Sequence, residues 1–330
     1  MSSVYRPSTP ADEAQIIALL ARAFSADSSA PFLQPDLVRW KFWEPCADWP
    51  EPRSWVVEQE QRIVAHASLW PVTVGTGDQA ERGISMVDWA SERDSAGVGL
   101  FLAKRLMKTC AFTYIVGGTA MTQAMAPRVG FRDIGESVTW ARPLRPWKRL
   151  LRNGRFDLDA VRSVPGKIVW AYTPTRSVGR RWTVAEFNAG SPDPSVPAFE
   201  RGNGFFDYLD RCPRASCLRF HILNRGCKVG SFALVVGRLQ ARLAGAWLED
   251  PSTENWRIAF NLAQSAALER TGALDFAARC STEASAAGAA RAGMHVAKRS
   301  RVLFRAPSSF DLPALQYQLC DNDDVFLNIL

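Results

Sequence analysis

The chain carries one order of elements twice, and this duplication limits its fold more than any other feature. In the first half, Arg53-Ser54-Trp55-Val56-Val57-Glu58 leads through a short polar turn to Arg62-Ile63-Val64-Ala65-His66-Ala67-Ser68-Leu69. In the second, Cys217-Leu218-Arg219-Phe220-His221-Ile222 leads to Cys227-Lys228-Val229-Gly230-Ser231-Phe232-Ala233-Leu234. Each reads as strand, tight turn, strand. Thr119 to Gly130 and Thr282 to Gly293 have the same spacing, bracket a short helix, and precede strands at Ile134–Trp140 and Ser300–Phe304. The aromatic clusters Trp40-Lys41-Phe42-Trp43 and Phe205-Phe206-Asp207-Tyr208 stand ahead of the two hairpins. A unit of roughly 160 residues is too long for a solenoid repeat and fits a duplicated domain.

The expected division is a first domain over 1–142, a basic proline-containing linker over 143–164 and a second domain over 165–330. Pro143 and Pro146 break regular structure in the linker. Its arginines, Trp147, Leu150 and Leu151 suit either a short helix on a membrane surface or RNA, or a helix packed between the domains. In the first half, a helix begins at Pro10-Ala11-Asp12 and turns Ile16, Ile17, Leu19, Leu20, Ala23 and Phe24 to one side. Strands are expected at 54–59, 63–74 and 82–91, a helix over 97–110, a strand over 112–116, a helix near 119–128 and a last strand.

One segment carries a chemical signal. Val87-Asp88-Trp89-Ala90-Ser91-Glu92-Arg93-Asp94-Ser95-Ala96-Gly97-Val98-Gly99 reads as a buried strand, a polar turn and a Gly-x-Gly opening a helix. Glycines there let a ligand approach the backbone. The free N–H groups of the first turn and the helix dipole then favour an anion. A net charge of +7 agrees with an acidic ligand or with a solvated basic surface. The seven cysteines have no C-x-x-C pair, which points to free thiols in a reducing compartment. There is no signal-like start and no apolar run of about 18 residues, so a cytoplasmic protein without a membrane span is expected. His221 and His295 have no neighbouring ligand pattern, and no metal is expected.

The strand order, with a glycine loop after the fourth strand, resembles the GNAT superfamily of acyl-CoA-dependent N-acyltransferases. Arg93-Asp94-Ser95-Ala96-Gly97-Val98-Gly99 resembles that family's pyrophosphate loop, and Arg128-Val129-Gly130-Phe131 its Lys-Leu-Gly-Phe signature. The resemblance implies an α+β fold of two GNAT-like domains in tandem, each a mixed, mostly antiparallel sheet flanked by helices. It implies acetyl-CoA, or another acyl-CoA, as co-substrate, held by Trp89 and Ala90 of strand four and by Asp94, Ser95, Ala96, Gly97, Val98 and Gly99. Asp94 and Ala126 depart from the family pattern; many members carry at the latter position a tyrosine that protonates the leaving thiolate. The second half has Trp247-Leu248-Glu249-Asp250-Pro251-Ser252-Thr253-Glu254 where the loop belongs, with carboxylates and no glycine. It is expected to bind no CoA and to shape the acceptor site.

Acyl transfer to an amine needs a base and donors for the thioester oxyanion. Asp88 on strand four is a candidate base. A hairpin reflected about Gly77 sets His66 directly opposite it, either as an acid–base partner or as a buried polar pair. Glu92 at the mouth of the loop is a third candidate. Cys110 ends its helix away from the loop and is not expected to act as a nucleophile. The expected reaction is direct attack of a small primary amine on the thioester by a monomer or homodimer. Fem peptidyltransferases also resemble paired GNAT units, so an aminoacyl-tRNA-dependent transferase is the second reading. A catalytically inactive GNAT-like binding protein is the third.

Overall fold

Strands with consecutive buried residues, such as Phe112–Val116 and Ala241–Ala246, build the central sheet. The computed structural model describes residues 3–47, 49–74, 81–152, 155–156, 166, 168–171, 177–187 and 203–306. The first half runs β1 (Ser3–Pro7), α1 (Glu13–Phe24), α2 (Pro35–Trp43), β2 (Ser54–Gln59), β3 (Arg62–Val74), β4 (Glu81–Ser91), α3 (Ala96–Leu106), β5 (Phe112–Val116), α4 (Ala120–Met125) and β6 (Arg132–Pro143). A small ladder of β7 (Leu151–Arg152) and β8 (Arg155–Phe156) follows. The second half runs β9 (Trp182–Glu186), α5 (Asn203–Asp210), β10 (Ser216–Asn224), β11 (Cys227–Val236), β12 (Gln240–Leu248), α6 (Thr253–Arg270), β13 (Asp275–Cys280), α7 (Glu283–Arg291) and β14 (His295–Arg305).

The duplication is legible in local conformation. Both hairpin turns put two central residues at positive φ, Glu60 and Gln61 in one, Arg225 and Gly226 in the other. This is the twist a two-residue hairpin needs. Thr119 and Thr282 both cap their helices, accepting from the N–H of Thr122 and Ser285. Gly130 and Gly293 both leave in the left-handed region. The aromatic clusters form α2 and α5, which meet face to face. Trp40 and Tyr208 stack with ring centroids 4.6 Å apart. Trp40 Nε1 donates to the Tyr208 carbonyl at 3.1 Å, and Tyr208 Oη donates to the Trp40 carbonyl at 3.2 Å.

Twelve strands form one sheet in the order β1-β2-β3-β4-β5-β14-β6-β13-β12-β11-β10-β9. The halves exchange their last strands: β14 lies between β5 and β6, and β6 lies between β14 and β13. Neither half closes its own sheet. β4 pairs with β5 in parallel, as β12 does with β13, and the other ladders are antiparallel.

Two expectations need correction. His66 lies opposite Ala90, not Asp88. The hairpin register is offset by one from a turn centred on Gly77, and a bulge adds a second residue. The turn at 75–80 lies outside the described residues. The helix expected over 97–110 stops at Leu106, where backbone bonds to Ala103 and Leu106 carbonyls close its end. The segment expected as the linker begins with a short helical turn. This 3-10 turn spans Pro146–Leu150 and is preceded by Arg145, which donates to the Ala273 carbonyl at 2.6 Å. Residues 153–154 and 157–164 of the linker lie outside the described part.

Candidate active site

β4 and β5 pair only from Gly83 to Ser85 and from Phe112 to Tyr114, and then part. The opening lies between Met86–Ser91 and the end of β5. Its far side is held by the second half, because the Gly117 N–H donates to the Arg301 carbonyl of β14 at 2.8 Å. Met86, Ile115, Phe131 and Leu303 belong to one buried cluster, with Met86 and Ile115 on the two strands just beyond their last pair.

The near side carries a bulge. Val87 faces Ser68 and Ala90 faces His66, which leaves Asp88 and Trp89 against Ala67 alone. Asp88 has a φ of +48°. A non-glycine residue there costs roughly 1–3 kcal/mol, at the low end for Asp, and persists only where its surroundings hold it. Two contacts hold it. The Asp88 carboxylate pairs with Lys41 Nζ of α2, and both side chains are buried. The Asp88 carbonyl lies 3.0 Å from His66 Nδ1. The other ring nitrogen of His66 lies 2.9 Å from Ser54 Oγ, and Phe42 packs on the ring. Complete burial holds the imidazole pKa down to about 4, against the opposing pull of the Asp88 carboxylate. The structure thus brings His66 and Asp88 together, but through ring and carbonyl rather than ring and carboxylate.

Beyond β4, Glu92 pairs with Arg22 at 2.5 Å, on the α1 side. A 3-10 turn over Arg93–Ser95 leads into α3. Trp89 Nε1 donates to the Gly99 carbonyl at 3.0 Å and ties the first turn of α3 to the strand. The two loop glycines do different work. A Cβ on Gly99 would meet Ser91 Oγ at 2.8 Å, so close packing on β4 requires glycine there. A Cβ on Gly97 would meet nothing within 4 Å, so internal packing does not explain that glycine. Ser95 precedes the helix without a side-chain cap, leaving the first N–H groups of α3 without that partner. α4, across the opening, buries none of its residues. Ala126, the residue after α4, is fully buried.

The matching place in the second half is filled. Asp250 accepts from the Ser252 N–H at 3.1 Å and from Asn255 Nδ2 at 2.8 Å, and Ser252 caps α6. α7 packs directly on that first turn: a Cβ on Gly288 would lie 3.1 Å from the Thr253 carbonyl and 2.6 Å from Trp256 Cβ.

Sequence reasoning did not single out Lys41, Ser54, Ser8 or Trp43. A lysine inside the aromatic run Trp40–Trp43 was the available signal, since a lysine is seldom fully buried without a partner. Cys110 Sγ contacts the Phe112 carbonyl at 3.1 Å, and burial raises its pKa, which suits a packing residue. Among the described residues, no cluster of His, Cys, Asp and Glu is arranged to hold a metal ion, and no helix is long and apolar enough to cross a membrane.

No family model and no curated protein sequence matches the chain. Solved structures do match it in shape. A GCN5-related N-acetyltransferase from Anabaena variabilis superposes with a TM-score of 0.57 at 10% identity, over 92% of this chain and 73% of that one. N-myristoyltransferase of Saccharomyces cerevisiae, with myristoyl-CoA bound, gives 0.58 at 12% identity, over 92% and 82%. A tandem GNAT protein from the clavulanic acid biosynthesis pathway gives 0.54 at 13% identity, over 94% of this chain and all of that one. The chain has the GNAT fold, in tandem.

Proposed function

We propose that the protein is an acyl-CoA-dependent N-acyltransferase that moves a short acyl group, acetyl first, to a small primary amine. The carrying observation is the contrast between the two helix starts. α3 begins without a side-chain cap and with open space at Gly97, whereas α6 begins with Asp250 and Ser252 already bonded to it. In this reading the CoA pyrophosphate lies on Asp94–Gly99, and the thioester lies along Trp89 and Ala90 in the opening. In the same reading, the buried cluster of Met86, Ile115, Phe131 and Leu303 favours a short chain over a long one. The second half binds no CoA and supports the acceptor side.

Transfer is direct. The amine attacks the thioester carbon, the C–S bond breaks, CoA leaves as the thiolate, and the proton lost by the amine nitrogen passes through water to that sulfur. Of the three candidate bases, Asp88 is neutralised by buried Lys41, and Glu92 is paired with Arg22. His66 is neutral, but its ring is wholly enclosed. We therefore give Asp88 and His66 roles in shaping the bulge rather than in taking the proton. Free thiols at the six described cysteines accord with a cytoplasmic site of action.

Calorimetry with acetyl-CoA, myristoyl-CoA and CoA tests this reading, followed by mass spectrometry of an amine panel. Stoichiometric binding of one acetyl-CoA, lost in folded Gly97→Glu, is expected. Equal binding by wild type and that variant would overturn the assignment. Tighter turnover of myristoyl-CoA than of acetyl-CoA would overturn the short-chain choice alone.

A further inference from the structure

The environment of His66 assigns it a task that its chemistry as an acid or base does not. A backbone carbonyl only accepts, so the nitrogen 3.0 Å from the Asp88 oxygen carries the hydrogen. The ring is neutral, so the other nitrogen is bare and accepts from Ser54 Oγ. Ser8 Oγ in turn donates to Ser54 Oγ at 2.5 Å. Ser8 Oγ receives the indole N–H of Trp43 at 3.0 Å. The chain Trp43–Ser8–Ser54–His66–Asp88 thus crosses from α2 and β1 through β2 and β3 to the bulge of β4. An indole N–H can only donate and a carbonyl can only accept. With those two ends, every hydrogen in the chain has one place, and no proton can be passed along it.

We propose that His66 is a positioning residue whose Nδ1–H, locked by Ser54, Ser8 and Trp43, fixes the Asp88–Trp89 peptide so that the Trp89 N–H meets the thioester oxygen. In a planar trans peptide the N–H points opposite to the C=O. Holding the carbonyl on the His66 ring therefore directs the Trp89 N–H away from that ring, and in this proposal toward the opening beside β5. The Lys41–Asp88 ion pair clamps the side chain of the same residue. The peptide is thereby held from two sides before any substrate arrives, which is what a preorganised oxyanion donor requires. This inference rests on the acyl-CoA reading above.

The test compares acetyl-CoA with S-ethyl-CoA, a thioether of similar shape without the carbonyl. Wild type should bind acetyl-CoA about tenfold tighter, the worth of one hydrogen bond. It should also lower the stretching frequency of a 13C-labelled acetyl carbonyl. His66→Phe should bring the affinity ratio near one and abolish the infrared shift while leaving affinity for CoA itself unchanged. His66→Asn, whose amide N–H lies as many bonds from Cα as Nδ1–H, should restore both. A folded His66→Phe variant with the full ratio and shift would overturn the proposal. Wild type that binds neither CoA nor acetyl-CoA would instead overturn the acyl-CoA reading, and this one with it. A measurement without mutation guards against a variant that fails to fold. In 15N spectra of wild type, His66 should show a protonated Nδ1 and a bare Nε2, unchanged from pH 8 to pH 5.5. The opposite tautomer, or titration near the ordinary imidazole value, would overturn the proposal.

Discussion

At the scale of single residues, the buried pair Lys41–Asp88 decides what Asp88 does. Removing one member of a buried ion pair leaves the other charge without compensation, at a cost of about 3–5 kcal/mol. Asp88→Asn keeps the residue type that tolerates positive φ, so its effect isolates the charge. It should lower stability to urea by that amount, and adding Lys41→Met should recover most of the loss. A general-base role instead demands normal stability and lost turnover in Asp88→Asn alone, and that outcome would sink the structural assignment. His66 supplies an independent check. Its folded pKa of about 4 lies below the unfolded value of 6.5, so below neutrality the unfolded chain takes up a proton that the folded chain refuses. The protein should lose stability as pH falls from 6.5 toward 4, on the order of 3 kcal/mol from this one group. His66→Asn should flatten that part of the stability profile relative to wild type, and parallel profiles would show that the ring is not buried as described. The sequence named His66 and Asp88 as neighbours, but it could not show which atoms meet. A one-residue register offset and a bulge are decided by packing on both faces of the strand, which a hairpin reflection ignores.

Among elements, the start of α3 gives its two glycines different tasks. The Gly-x-Gly was read as a ligand cradle, yet only one of its glycines is left unexplained by packing. Gly99→Ala forces Cβ against Ser91 and should destabilise the fold by pushing α3 off β4, whereas Gly97→Ala should leave the melting temperature unchanged. Gly97→Glu should also fold, because its side chain points into open space, but should lose acyl-CoA binding by placing a charge at the proposed pyrophosphate position. If thermal melts ranked the two alanine variants the other way, the division of labour between the glycines would be wrong. The second half reverses this arrangement. Its Asp250 carboxylate is bonded to Ser252 and Asn255 at the start of α6, and the sequence shows the change because carboxylates replace the loop glycines.

For the whole molecule, the repeat was legible because each half keeps its own turn residues, helix caps and aromatic cluster. The exchange of β6 and β14 was not, since it depends on which of two equivalent strands fills a position, and both carry the same local pattern. The exchange has consequences for folding. Without the second half, β5 loses β14, and β6 loses both of its partners, β14 and β13. α2 likewise loses the Trp40–Tyr208 stack and its two reciprocal hydrogen bonds to α5. A sheet edge stripped in this way exposes unpaired N–H and C=O groups and the apolar faces behind them. The two halves should therefore fold as one cooperative unit although each repeats the same order of elements. A protease site placed in the linker between residues 157 and 165 tests this on the intact protein. After cleavage, the pieces should travel together through gel filtration and melt in a single transition. They should part only in denaturant, and residues 1–143 made alone should fail to give a folded monomer. Two independent transitions, or a folded monomeric 1–143 fragment, would mean that each half can close its own sheet and that the exchange is not required for either to fold.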